Sequence, residues 1–290
     1  MFDKATYVNR RAKLKELVKS GIIILFGNNE SPCNFPANGY YPFRQDSSFL
    51  YYFGLNRDGL VGVIDIDNDI ETLVGNDIDI EDIVWYGSVD SVHDMAESVG
   101  VKNTAPMKSL KTICNDAMRQ KRRIHFLPPY RHDIKIQIFD LLGVHPVQQK
   151  EAASMDLIKA IVKMRSTKEA QEIEELERAS VIGYKMHTTA MRLVKPGLTE
   201  KYVAGQVDGT ANSLWSASRL SSASMARLCT AVRQWPNLRA ADSYCAIVVA
   251  RPSTTTALTI HVHSLSTASL HSVSLRYTAS LRLVTTMHST

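Results

Sequence analysis

Few residues in this chain combine type and spacing in a way that could do chemistry, and they lie far apart. Arg44 and Asp46 are opposite charges two positions apart, flanked by Phe43 and Phe49. On an extended segment both side chains would point to one face, and burial beside the aromatic rings would demand hydrogen-bonding partners. The pair therefore reads as part of a structural network that fixes its domain, not as a catalytic acid and cation. Near the C-terminus, His261-Val262-His263 alternates as a strand would and offers two imidazoles to one metal, but no third ligand lies nearby. Cys33, Cys114, Cys229 and Cys245 are widely spread, with no C-x-x-C spacing, and read as reduced thiols. His125 and His132 lack ligand spacing, and His187 falls in a helical run where packing is the simpler role. The residues alone assign no catalytic group, no metal ligand and no substrate contact.

The elements that would have to position such groups are clearest in the first two thirds. Val8, Ala12, Leu14, Leu17 and Val18 predict a helix over 5–19 that stops at Gly21, and Ile22 to Phe26 is a β-branched run suited to a buried strand. Further strands are predicted at 61–66, 72–74, 84–86 and 124–127, with helices at 89–98, 110–119 and 133–142. Strands alternating with helices indicate an α/β domain. From Ser166 the pattern turns helical. Ser166 and Glu169 suggest a capping box, and Ala170, Ile173, Leu176, Ser180, Gly183, Met186, Ala190 and Leu193 recur at helical spacing. Lys195-Pro196-Gly197 ends this helix, expected over 167–194, and Thr199 caps a second over 199–213. The acidic stretch Glu169 to Glu177 reads as a solvated face. The change of pattern predicts domains at 1–150 and 151–215, joined by a linker.

With 290 residues, 44% of them hydrophobic and 22% charged, the chain can bury a sizeable core, which excludes wholesale disorder and collagen-like repetition. No apolar run nears the length of a membrane span, and no secretion signal is apparent, so a soluble cytoplasmic protein with no membrane partner is expected. The net charge of +5 is uneven. Residues 1–209 carry 27 Lys and Arg against 28 Asp and Glu, whereas residues 210–290 carry seven Arg and one acid, Asp242. The seven arginines are scattered, with only occasional aromatics, which argues against a nucleic-acid partner. All 14 glycines lie at or before Gly209. A folded domain needs glycine for turns and mixed charge for its surface, so residues 216–290 read as an aberrant, disordered tail.

Two stretches resemble a known family. Tyr41-Pro42-Phe43-Arg44-Gln45-Asp46-Ser47-Ser48-Phe49-Leu50-Tyr51-Tyr52-Phe53-Gly54-Leu55 is similar to the core of the creatinase-type N-terminal α/β domain of aminopeptidase P. Lys163 to Glu169, continuing through Lys195-Pro196-Gly197-Leu198-Thr199-Glu200, resembles the first helices of that family's pita-bread catalytic domain. The resemblance implies a hydrolase of proline-containing peptides that removes a residue preceding proline with two divalent cations, typically manganese, and that is a homodimer when intact. It also implies two Asp, one His and two Glu as ligands beyond the second helix. Hard carboxylates of that kind would lower the pKa of a bridging water and polarise the scissile carbonyl.

Beyond residue 215 this sequence has no Glu and only Asp242, so no metal is expected to bind the chain as written and catalysis is expected to be absent. A shift of reading frame accounts for the loss. When each codon takes the last base of one residue and the first two of the next, Met225-Ala226 forces glycine. The span from Ser224 to Ala231 then admits H-G-E-I-M-H-G, Ser243 to Arg251 admits L-L-C-D-S-G-G-E, and Pro252 to His263 admits V-N-N-Y-C-S-D-H-T-R-T. These strings resemble, in order, the family's histidine segment and its two metal-binding Asp segments. The tail thus reads as translated out of frame from about residue 216. The alternative is a non-catalytic binding or oligomerisation module built on the N-terminal domain.

Overall fold

In a computed structural model of the chain, the described residues are 2–33, 43–78, 87, 89–194 and 198–214, with strands at 227–229, 245–250 and 258–263. They divide into two compact units, one running to Glu172 and the other beginning at Ile173.

The first unit is built on a mixed sheet of five strands, β1 (Ile22–Phe26), β2 (Val61–Asp65), β3 (Ile70–Val74), β4 (Asn103–Ala105) and β5 (Ile124–His125), in the order β4-β3-β2-β1-β5. β1 pairs antiparallel with β2, Ile24 opposite Val63, and parallel with β5, Ile23 opposite His125. β2 and β3 form an antiparallel hairpin, and β4 runs parallel to β3. Alternate residues of β1 face opposite ways, and both faces are covered, which is why the run is apolar throughout. Ile23 and Leu25 join Ile64 and Leu73 against α1 (Lys4–Val18), α2 (Ser47–Phe53), α3 (Val92–Ser98) and a later helix carrying Leu157 and Ile161. Ile22 and Ile24 join Val61, Val63 and Val74 against α4 (Ser109–Arg119) and α5 (His132–Leu142), through Leu110, Cys114 and Leu141. Helices thus sandwich the sheet.

Several expectations need correction. The segment carrying Arg44 and Asp46 is no strand but the lead into a helix, with Asp46 as the N-cap of α2. Its Oδ1 accepts from the backbone N–H of Ser48 (2.8 Å) and of Phe49 (3.0 Å), satisfying donors a helix start leaves open. Left-handed Gly54 closes the helix, its N–H donating to the carbonyl of Leu50. Phe49, Tyr51, Tyr52 and Phe53 are buried almost completely. Gly62 of β2 makes room for Phe53, since a Cβ there would lie 2.1 Å from its ring. The expected linker is helical too: α6 (Gln149–Ala152) and α7 (Met155–Ser166) occupy it. The Ser154 hydroxyl caps α7 by accepting from the N–H of Leu157, and Leu157, Ala160 and Ile161 enter the core.

The capping box lies three residues later than the sequence suggests. Ser166 ends α7, its hydroxyl donating to the carbonyl of Val162, whereas the N–H of Glu169 donates to Glu172 Oε2 (3.0 Å) ahead of α8 (Ala170–Leu193). The expected helix 89–98 begins at Val92, capped by Ser91, and β4 was not anticipated. The strand expected at 84–86 lies outside the described residues.

In the second unit α8 packs on α9 (Glu200–Leu214) through Met186, Ala190, Val203, Val207 and Ala211. Thr199 Oγ1 accepts from the N–H of Tyr202 at the start of α9, as its position suggested. The tail also differs from expectation. β6 (Arg227–Cys229), β7 (Cys245–Ala250) and β8 (Leu258–His263) form an antiparallel sheet, with Ile247 opposite His261. Cys245–Ala250 and Leu258–His263 are apolar or alternating and rich in β-branched residues, which gives them strand propensity without glycine or acid.

Candidate functional site

A cleft of about 580 Å3 in the first unit lies beyond the carboxyl ends of the parallel pair β1 and β5, the place where α/β sheets commonly receive ligands. Its walls come from the segment after β1 (Asn28 to Ser31), the approach to α2 (Phe43 to Ser47) and the turn before α5 (Tyr130, Arg131). Buried Asn28 and Gln45 fix the floor. Gln45 Oε1 accepts from the N–H of Asn28 (2.7 Å) and of Asp46 (3.0 Å), and its Nε2 donates to the carbonyls of Arg57 (2.6 Å) and Leu55 (3.3 Å). Asn28 Nδ2 donates to the Arg44 carbonyl (2.7 Å) and to the Tyr130 hydroxyl (3.1 Å), and that hydroxyl donates to Asp46 Oδ2 (3.2 Å). Arg131 donates to the Asn29 carbonyl (2.9 Å), the Ser31 hydroxyl (2.8 Å) and Asp133 (3.1 Å).

These contacts set the charge states. Burial raises the carboxyl of Glu30, and the charge of Asp58 adds to the rise. Burial also raises the Tyr130 phenol, and Asp46 reinforces it. For Asp133 burial acts upward, but the hydrogen bonds from Arg131 and Asn29 outweigh it and hold the carboxyl below the usual range. The described lining holds neither histidine nor cysteine, so it can recognise a polar group but offers no base poised near neutral pH.

Arg44 lines this cleft through its exposed side chain, while its carbonyl belongs to the floor, and Asp46 serves both the floor and the cap of α2. Sequence reasoning missed the more deeply buried charges. Arg10 and Arg11 on α1 are 1% and 0% exposed. Arg10 donates to Glu169 Oε2 (2.7 Å) and to the Tyr51 carbonyl (3.1 Å), and its guanidinium lies 3.9 Å from the centre of the Tyr51 ring. Arg11 donates to Glu71 Oε2 (2.7 Å) and to the carbonyls of Tyr52 and Val99 (both 2.9 Å). Glu172, expected on a solvated face, is 2% exposed. Burial pushes the Tyr51 phenol up to about 12. In the second unit His187 is buried, which lowers its ring pKa, and Asp208 Oδ1 accepts no hydrogen bond, its carboxyl raised by burial.

Residues 7–125 match the family model for the aminopeptidase P N-terminal domain. The N-terminal part of the chain is thus an aminopeptidase P N-terminal domain, and the chain is a distant relative of Xaa-Pro peptidases. It is 25% identical over 202 residues to a probable Xaa-Pro aminopeptidase of Talaromyces stipitatus, covering 68% of this chain and 37% of that protein. It is 23% identical over 206 residues to the Xaa-Pro aminopeptidase of Escherichia coli, covering 68% of this chain and 46% of the relative. The human Xaa-Pro dipeptidase is 23% identical over 190 residues, 66% of this chain and 38% of that one. The chain thus spans less than half the length of these curated relatives. Among solved structures, zinc-substituted E. coli aminopeptidase P in complex with product matches the fold with a TM-score of 0.67 at 18% identity, covering 90% of this chain and 62% of that one. The same enzyme with the inhibitor Pro-Leu matches with a TM-score of 0.64.

The family's metal dependence poses a test of donor chemistry. Among the described residues no group of three or more His, Cys, Asp or Glu could hold a metal ion. His261 and His263 alternate along β8, and the one acid after residue 209, Asp242, lies outside the described residues. A pair of divalent cations held by carboxylates does not fit this donor set.

Proposed function

We propose that the chain derives from a metal-dependent Xaa-Pro aminopeptidase whose reading frame is lost near residue 215, and that the 290-residue chain does not hydrolyse Xaa-Pro peptides. The missing carboxylates beyond residue 215 carry this reading, because a hydrolytic water between two cations needs hard anionic ligands that Asp242 alone cannot supply. The intact relative would use two manganese ions, take proline-containing peptides in the cytoplasm and assemble as a homodimer, none of its contacts involving nucleic acid or membrane. The cleft beyond β1 and β5 would then belong to the supporting domain, with Arg44 and Asp46 maintaining its walls. The direct test is to assay the 290-residue chain on an Xaa-Pro peptide with added manganese. No turnover is expected, and turnover abolished by a chelator would overturn the reading. Resequencing the coding DNA should find one base gained or lost near codon 215.

A second reading, a non-catalytic binding or oligomerisation module, is favoured by the first unit itself, whose five-stranded sheet is covered on both faces by its own helices among the described residues. An uninterrupted frame in the resequenced DNA, together with a dimer by light scattering, would select it.

A further inference from the structure

His125 is 2% exposed at the end of edge strand β5, and both ring nitrogens are engaged by other parts of the first unit. Nε2 lies 3.0 Å from the Ser20 carbonyl, in the turn between α1 and β1, and Nδ1 lies 2.6 Å from Ser154 Oγ, the N-cap of α7. A carbonyl can only accept, so Nε2 carries the ring proton, and the uncharged Nδ1 accepts from the Ser154 hydroxyl. That hydroxyl oxygen in turn accepts from the N–H of Leu157 (3.3 Å), while the Ser154 N–H donates to the Phe126 carbonyl (3.1 Å). The ring is closely seated, since a Cβ on Gly21 would come within 2.9 Å of Nε2. One imidazole therefore joins the α1–β1 turn, β5 and the first turn of α7 in a single chain of donors and acceptors.

We propose that His125 is a pH-operated latch whose uncharged ring fastens the start of α7 to the sheet, and whose protonation at Nδ1 releases that end of the helix. A proton on Nδ1 points at the oxygen that now donates to it. The Ser154 hydroxyl must then turn its own hydrogen away, with Oγ accepting from Nδ1 and Leu157 together, and the imidazolium is left in a site shielded from water. The charged groups around it offset this only in part, since Asp156 and Asp67 favour the charged ring but burial outweighs them. Arg123, just ahead of β5 and two residues before His125, repels a second positive charge. Asp156 of α7 is paired with Arg123 (2.9 Å), and Asp67 in the β2–β3 turn is held by Arg122 (2.7 Å) and by the N–H of Gly21 (3.0 Å). Burial, the largest influence, lowers the ring pKa. The latch is thus closed at neutral pH and opens in acid.

Amide hydrogen exchange on the full 290-residue chain, corrected for intrinsic rates and followed from pH 7.5 to 5, tests this directly. Opening of amides 157–164 should increase by up to about tenfold per pH unit below the ordinary histidine range, while amides of β1 to β3 keep their protection. His125→Gln, which can still donate and accept but cannot titrate, should make α7 protection independent of pH. An unchanged acid dependence in His125→Gln, or parallel loss of protection by α7 and the sheet in the unsubstituted chain, would overturn the latch. Should the variant fail to fold, the ring-proton NMR titration of His125 in the unsubstituted chain decides. A midpoint below the ordinary histidine value upholds the proposal, and one at or above it refutes it.

Discussion

The first unit and the stretch after residue 209 treat charge in opposite ways. In the first unit, arginines at 10 and 11 sit almost wholly inside the protein, each guanidinium met by a glutamate, backbone carbonyls and an aromatic ring. After residue 209 seven arginines share one acid, so carboxylate partners for most of them would have to come from earlier in the chain. A buried cation is tolerated only where the fold has already gathered its counter-groups. The same logic governs a metal: a carboxylate-held site and a buried guanidinium are both statements about how many acids the chain can bring to one point.

That contrast can be broken most severely at Arg11. Arg11→Met should cost about 3–5 kcal/mol, because it leaves Glu71 with Lys15 alone and strands the buried carbonyls of Tyr52 and Val99, and chemical denaturation would read the loss. A methyl group at Gly62 should cost about 1–3 kcal/mol by pressing on the Phe53 ring, seen as a lower midpoint with an unchanged slope. Asp46→Ala removes a helix cap and the acceptor of Tyr130, for about 1 kcal/mol, and its thermal midpoint should fall accordingly.

Arg122→Gln should have a smaller effect, about 0.5–1 kcal/mol. Burial acts to raise Asp65, but hydrogen bonds from Arg122 and Asn68 prevail and hold its carboxyl below the usual range. A depressed carboxylate stabilises above its unfolded pKa and loses that contribution as pH falls through the folded one, so the gap between variant and parent should narrow below about pH 4. Removing residues 215–290 should have the least effect, leaving the thermal unfolding of the first unit unchanged by calorimetry. A substantial fall would show that the tail supports the N-terminal unit after all.

Much of the sheet was legible because Ile22–Phe26 and Val61–Asp65 are short β-branched runs whose only stable use is burial between layers. The helix at Ser47–Phe53 was not, since seven residues rich in aromatics show no helical period. The signals that could have revealed it are its ends, the Asp46 cap and left-handed Gly54. The helix over Met155–Ser166 was hidden by its place between two patterned regions, although Leu157, Ala160, Ile161 and Met164 have helical spacing behind the Ser154 cap. Of the cleft, Arg44 and Asp46 stood out as an adjacent charged pair. Asn28, Gln45 and Tyr130 did not, because neutral polar residues acquire a role only from what the fold sets against them. Arg10 and Arg11 were invisible for a related reason: an arginine on an amphipathic helix is ordinarily at the surface, and only its partners, up to about 160 positions away, decide otherwise.

The flanks of the five-stranded sheet also bear on self-association. β4 has three residues and β5 only two, and among the described strands these are the outermost of the sheet. Edges that short give an incoming strand almost no ladder on which to register, so lateral strand addition, the usual route from an open sheet to a fibril, finds little template here. Copies of this unit that meet in a crowded solution would therefore meet through helices, where Ile136 and Phe139 of α5 stand 60% and 46% exposed.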